Sequence, residues 1–237
     1  MAQARPRGQR AASLLGAAAA VAVVSGPLLA HVDLVAAMVG FGLFAGGGVL
    51  GIGALVTGIL AALRGGGLST GLAAGAVVTA IFLTVAAPGR KFPPINDLTT
   101  DTVNPPEFVA APALARNAGR DMRYAGAALA AQQQAAYTTL APLPLKAPPD
   151  DAFRQVEAVA RRMPGWEITR NDPGVRTIEG VATTRLFHFK DDFVIEVRPH
   201  GDSSLVEMRS KSRDGKGDIG ANAARIQGFF AAVQSSR

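Results

Sequence analysis

The sequence predicts two joined objects: an N-terminal α-helical membrane anchor and a soluble α+β domain, an antiparallel sheet with a C-terminal helix. Three observations predict this. Residues 11–88 contain only two charged side chains, Asp33 and Arg64, whereas residues 89–237 carry 20 basic and 17 acidic ones. The charge-poor part falls into three uncharged stretches of membrane-spanning length, 11–30, 34–63 and 68–88. The charge-rich part instead switches between apolar patterns of period two and of helical period, as sheets and amphipathic helices require.

A span needs roughly 20 apolar residues to cross a hydrocarbon core of about 30 Å. The first and third stretches have that length. The second, 34–63, is too long for one upright span, so it must tilt, protrude or end irregularly. Buried helices of a soluble protein are the plainer alternative, but charge-free runs this long argue against them. Arg5, Arg7 and Arg10 precede the first stretch and Arg64 follows the second, while the His31–Asp33 turn has no Lys or Arg. The positive-inside rule then places everything after Pro88 on the periplasmic, outer face of a bacterial inner membrane. Arg90 and Lys91 run against that rule. The first stretch also reads as a signal peptide, with its basic start and Leu28-Leu29-Ala30 end, and cleavage would leave the domain on the same face. Gly42/Gly46 and Gly47/Gly51 have the spacing that lets helix backbones approach, within this chain or between two copies. No charge lies inside any stretch, which disfavours transport and favours a plain anchor.

Composition excludes more. With no Cys there are no disulfides, no thiolate zinc site and no cysteine nucleophile. The net charge of +6 and the pI near 10.3 invite a nucleic-acid reading. Half of that charge belongs to Arg5, Arg7, Arg10 and Arg64 less Asp33, which set membrane topology, so nucleic acid is not an expected partner.

Residues 89–110 read as an extended, Pro-rich linker. Two Pro-Pro pairs block helix there, and Phe92, Ile95, Leu98, Val103 and Phe108 let it lie along the domain surface. The phrase Pro93-Pro-Ile-Asn-Asp-Leu-Thr-Thr-Asp101 is followed by Pro105-Pro-Glu-Phe108. Near the end stands Arg209-Ser-Lys-Ser-Arg-Asp-Gly-Lys-Gly-Asp-Ile-Gly-Ala-Asn-Ala-Ala-Arg225. In these phrases the chain resembles domain-of-unknown-function family 1499, over about residues 92–233. Some members similarly carry several membrane spans ahead of the domain. The family has no established activity, so the resemblance implies no catalytic residues.

In the domain, 111–237, residues 111–137 suggest short helices, the clearest over 127–136. A strand is expected within 138–145. Asp150 is placed to cap a helix over 151–163, whose Phe153, Val156, Val159, Ala160 and Met163 share a face, and Pro164-Gly165 stops it. Strands follow at 166–169, 176–184 (running on toward 187–189), 193–198 and 205–212, with Asp191-Asp192 and His200-Gly-Asp202 as turns. Phe193, Ile195, Val197, Val206 and Met208 alternate with Glu196, Arg198, Glu207, Arg209 and Lys211, which predicts a sheet with one wet, charged face. A helix over 219–234, capped by Asp218, closes the chain with a stripe of Ile219, Ala223, Ile226, Phe230 and Val233. The order β-α-β-β-β-β-α is that of the helix-grip, or TBP-like, class, an analogy from element order alone.

The strongest candidate site is an anion-binding loop made of Arg209, Ser210, Lys211, Ser212, Arg213 and Lys216 beside a helix start. The plainer reading pairs Arg209 and Lys211 across the sheet with Glu196 and Glu207. His188 near Asp191 and Asp192 suggests acid–base work, but no nucleophile stands at motif spacing. His31, His188 and His200 lack metal-ligand spacing, so neither a metal nor a cofactor is expected, and no catalytic residue is assigned. The expected function is a membrane-anchored envelope protein, a binding or scaffold module for an anionic or lipid-like ligand. The alternatives are a hydrolase- or cyclase-type enzyme using a cavity of the domain, and a structural partner of another envelope protein.

Overall fold

The computed structural model describes residues 7–236. It divides into two compact units: one comprises the described residues up to 90 together with 185–188, the other residues 91–184 and 189–236. Arg5, one of the charges used for orientation, lies outside the described residues.

The first unit is built from α1 (Arg7–His31), α2 (Ala37–Ala61) and α3 (Thr70–Ala86). Its packing is inverted relative to a water-soluble bundle. Small residues are buried: Ala12, Gly16 and Ala19 of α1, Gly47, Gly51 and Gly58 of α2, Gly71 and Gly75 of α3. Large aliphatics point outward, and Leu14, Val21, Val24, Val49 and Val77 are all more than half exposed. Small residues inside let the backbones approach. A Cβ on Gly47 would stand 2.8 Å from Val23 N, and one on Gly51 2.5 Å from Val78 Cγ1, whereas Gly42 and Gly46 face open space. The long second stretch does end irregularly: α2 runs into a π-helical turn, Ala62–Gly66, in which Gly65 adopts φ 84°. Ser69 then caps α3, its hydroxyl accepting from Leu72 N at 3.2 Å. By length and composition, α1 and the 30 residues Ala37–Gly66 are long and apolar enough to cross a membrane; α3, with 17 residues, is shorter.

The second unit holds β1 (Asp97–Thr99), α4 (Ala127–Ala136), β2 (Leu143–Leu145), α5 (Pro149–Ala160), β3 (Trp166–Asp172), β4 (Thr177–Thr183), β5 (Lys190–His200), β6 (Ser203–Ser212) and α6 (Ala221–Ser235). The sheet is antiparallel, in the order β1-β6-β5-β4-β3, with β2 also pairing with β6. Its apolar face carries Leu98, Ile178, Phe193, Ile195, Val206 and Met208, and packs on Phe153 and Val156 of α5 and Ile226, Phe229 and Val233 of α6. Trp166 seals one side, its ring 4.1 Å from that of Phe193 and 5.2 Å from that of Phe229.

Four expectations change. The stretch 89–110 is extended, but it is no separate linker: it contributes β1, whose Leu98 is completely buried. The outer edge of β1 is closed by Gln133 of α4, whose side-chain amide accepts from Thr99 N (3.0 Å) and donates to Thr99 O (2.6 Å), as another strand would. Asp150 is not a cap; Pro149 takes the first position of α5, where its missing N–H costs nothing, and Asp150 and Asp151 fill the first turn. Asp191 and Asp192 are not a turn. They are buried members of β5, and the chain reverses earlier, at residues 185–188.

The fourth correction matters most for function. The charged face of the sheet is not wet: Glu179, Asp192, Glu207 and Arg209 are each at most 2% exposed. Residues 100–126, a strap with two short 3₁₀ turns at Ala111–Ala113 and Ala115–Asn117, cover it. Phe108, Ala111 and Met122 of the strap pack on Val194 of that face.

Candidate functional site

Strand alternation divides the predicted anion loop between the two faces of the sheet. Arg209, Lys211 and Arg213 project to the strap side. Arg209 Nε and Nη2 donate to the two carboxylate oxygens of Asp97 at 2.9 and 2.7 Å, and Nη2 also donates to Met122 O at 2.9 Å. Its guanidinium carbon lies 4.8 Å from the ring centre of Phe108 and 5.4 Å from that of Tyr124. Lys211 Nζ donates to the same Asp97 at 2.9 Å. Arg213 forms a bidentate pair with Asp192, at 3.0 and 2.6 Å. The cross-strand partners expected for Arg209 and Lys211, Glu196 and Glu207, are taken instead by Arg198, at 2.9 and 2.8 Å.

Ser210 and Ser212 project to the other face, toward α6. Ser210 Oγ donates to Asn222 Oδ1 at 2.7 Å, and Asn222 Nδ2 donates to Ser212 Oγ at 3.0 Å. Arg225 donates to Ser210 Oγ and closes an ion pair with Asp191. Lys216 stands apart from both groups, exposed in the loop before α6. Asp218 holds that helix start, accepting from Gly220 N and Asn222 N at 2.9 and 2.7 Å, which leaves those amides occupied.

The strap is tied down by carboxylates of the sheet. Glu179, fully buried on β4, accepts four hydrogen bonds of 2.9–3.0 Å from three consecutive backbone amides, Val109, Ala110 and Ala111. Consecutive amides converging in this way form an anion-binding concavity, and here a side chain of the same chain fills it. Arg170 adds a charge contact to Glu179 at 3.5 Å. Asn117 of the strap donates to Asp192 (3.0 Å) and to Ala111 O (2.8 Å), and Arg120 donates to Asn117 and to Ser212 O. Farther along the sheet, Arg198 donates to Asn104 O and contacts Asp101, Glu196 and Glu207. Three carboxylates share that one cation. Burial pushes the Glu207 carboxyl up to about 7, against the opposing pull of Arg198.

Space remains beside the strap. A cleft of about 770 Å³ is lined by Phe108, Arg120, Met122, Arg123, Tyr124 and Arg209, among others. The Tyr124 hydroxyl is enclosed there without a hydrogen-bond partner, and its phenol is pushed up to about 12 by burial and by Asp97. The acids beside His188 in sequence are not its partners: Asp191 and Asp192 are engaged by Arg225 and Arg213, and His188 lies in the turn between β4 and β5 with a left-handed φ of 56°. Among the described residues, no three His, Asp or Glu side chains are grouped to hold a metal ion.

Sequence reasoning finds the cations but not Asp97, which pairs with two of them, nor Glu179 and Asn117, which hold the strap. Strand alternation was the available signal for Glu179, which shares a face with Arg209. For Asp97 the signal was the phrase around it. The phrases that carry the resemblance fold against one another: Asp97 meets Arg209 and Lys211, Asn96 O accepts from Ser212 N at 2.7 Å, and Asn96 Nδ2 donates to Gly215 O at 2.6 Å.

Compared with known proteins, the chain matches no curated protein at a significant level. A family model, described as "Protein of unknown function (DUF1499)", matches residues 97–233, from the first residue of β1 to within α6. That span is more than half of the chain and contains the sheet, the strap and the network between them, so the chain belongs to the DUF1499 family.

Proposed function

We propose that the chain is a membrane-anchored scaffold module of the cell envelope and not an enzyme. The observation that carries this reading is the internal commitment of its charged groups. Seven acids (Asp97, Asp101, Glu179, Asp191, Asp192, Glu196, Glu207) meet seven bases (Arg120, Arg170, Arg198, Arg209, Lys211, Arg213, Arg225) in ion pairs of the same domain. Catalysis needs groups left under-satisfied and aimed at a substrate, whereas these hold strap and helix to sheet. The space between sheet and C-terminal helix, where a helix-grip domain would hold an apolar ligand, is filled by Phe193, Met208, Ile226 and Phe229, all fully buried. The outward aliphatics and inward glycines of the first unit support three spans in a bacterial-type inner membrane. The distribution of Arg7, Arg10 and Arg64 supports an outer, periplasmic position for the domain.

One observation favours a second reading, a ligand-binding module: the cleft beside the strap with its unpartnered Tyr124 hydroxyl and its arginines suits a small anionic or lipid-like molecule. Native mass spectrometry of the full chain, with lipid extraction of the same sample, separates the two. The scaffold reading predicts no small molecule whose retention depends on the Tyr124 cleft. A bound anion or lipid present in the wild type and absent in Tyr124→Phe would replace it with the binding reading.

A further inference from the structure

The cations that the ion-pair network leaves over are not scattered. The chain has five lysines. Lys211 is committed to Asp97, and Lys146 follows β2, whose Leu145 pairs with Ser204 near the β5–β6 hairpin. The other three, Lys91, Lys190 and Lys216, are exposed and form no ion pair among the described residues, and all three lie at the opposite end of the sheet. Local contacts establish this. Lys190 opens β5 and its carbonyl accepts from Arg213 N at 3.1 Å, just past the end of β6. The loop carrying Lys216 is held by the Asn96–Gly215 bond, and Gly217 lies against Pro94. Lys91 precedes Phe92, whose ring lies over Gly220 at the start of α6. Arg116, also exposed and without an ion pair among the described residues, adjoins Asn117, which is anchored to Asp192 at this same end. Three exposed carboxylates share the region, Asp121, Asp214 and Glu167, and Asp121 is paired with Arg123, so positive charge predominates.

This is also the end at which the chain enters the domain, five residues after the last residue of α3. We infer that Lys91, Arg116, Lys190 and Lys216 form a basic rim that binds anionic lipid head groups of the membrane carrying the apolar helices. The inference rests on the membrane-anchored reading and adds to it a specific lipid chemistry. Exposed ammonium groups attract an anionic surface by about 1 kcal/mol each, and that attraction fades within a Debye length. Lys216 is thus the one member of the predicted anion loop whose charge is free for an external anion.

The lysines themselves supply the test. The full chain is placed in phosphatidylcholine nanodiscs with and without phosphatidylglycerol, and the acetylation rate of each lysine is read by mass spectrometry. The rim predicts that Lys91, Lys190 and Lys216 react about fivefold more slowly when phosphatidylglycerol is present, the factor that corresponds to about 1 kcal/mol. Lys146 should keep its rate, and the difference should vanish at high salt. Equal rates in the two kinds of disc, whether fast or slow, overturn the inference, as does equal slowing of Lys146. A chain that stays in the discs with unchanged lysine rates leaves the anchor standing and removes only the rim. A chain that elutes apart from the discs overturns both.

Discussion

Arg209 is a guanidinium only 1% exposed, and its burial is tolerable because Asp97, two aromatic rings and a backbone carbonyl replace water around it. Breaking one side of such a pair leaves an uncompensated charge, whereas replacing both sides by apolar groups is often nearly neutral. Asp97→Asn should therefore lower the unfolding free energy of the domain by about 3–5 kcal/mol. Asp97→Leu combined with Arg209→Met and Lys211→Met, since Lys211 shares the Asp97 carboxylate, should recover most of that loss, as read by chemical denaturation of the full chain. Glu207 makes the opposite kind of prediction. Burial disfavours its charge and pushes the folded carboxyl up to about 7, above its ordinary value of 4.5. The folded state then holds a proton that the unfolded state releases, so stability falls as pH rises from about 4.5 to 7 and the penalty is fully present above 7. Glu207→Gln should raise the melting temperature at pH 8 and change it little near pH 4.5, and equal effects at both pH values would contradict the assignment. At this scale the sequence exposed the cations and concealed their partners. A carboxylate 112 residues from Arg209 in the chain leaves no local spacing by which to find it.

The elements were legible in proportion to their apolar periodicity. The stripe of Phe153, Val156 and Val159 announces α5, and the alternation in β5 and β6 announces their hairpin, because each element buries one regular face. The strap has no such regularity. Its burial follows from the charges beneath it, and its hold is a carboxylate in a nest of amides, which no periodicity encodes. Asp191 and Asp192 were misread for a related reason: acids beside a reversal ordinarily mark a turn, but here they lie in a strand and are neutralised from α6 and from the end of β6. The strap's dependence on Glu179 can be tested directly. Glu179→Gln replaces one accepting oxygen by an NH₂ group facing amide donors, at a cost of about 1.5–3 kcal/mol for bonds to a charged group. Trypsin should then cut after Arg116, Arg120 or Arg123 on the order of tenfold faster or more, while sites in β5 and β6 stay protected. An unchanged cleavage rate in the strap would mean that the nest does not hold it.

At the scale of the whole molecule, charge separates the chain into two kinds of matter. Residues 11–88 put small side chains inside and aliphatics outside, and residues 97–233 form a domain whose charges largely satisfy one another. The first property was plain in the sequence as an absence of charge. The second was not, since counting 20 basic and 17 acidic residues says nothing of how they pair. In the function proposed above, the apolar helices hold this scaffold at the outer face of a membrane. Because the chain has no cysteine, single cysteines report on it cleanly. Leu68→Cys lies in the loop before α3, where Leu68 is 90% exposed, and Asp202→Cys lies in the exposed β5–β6 turn. The decisive measurement is labelling of each variant by a membrane-impermeant maleimide in intact spheroplasts. The account predicts that the cysteine at 202 labels at once and the cysteine at 68 only after the membrane is permeabilised. Labelling of position 68 in intact spheroplasts, or protection of position 202, would contradict it.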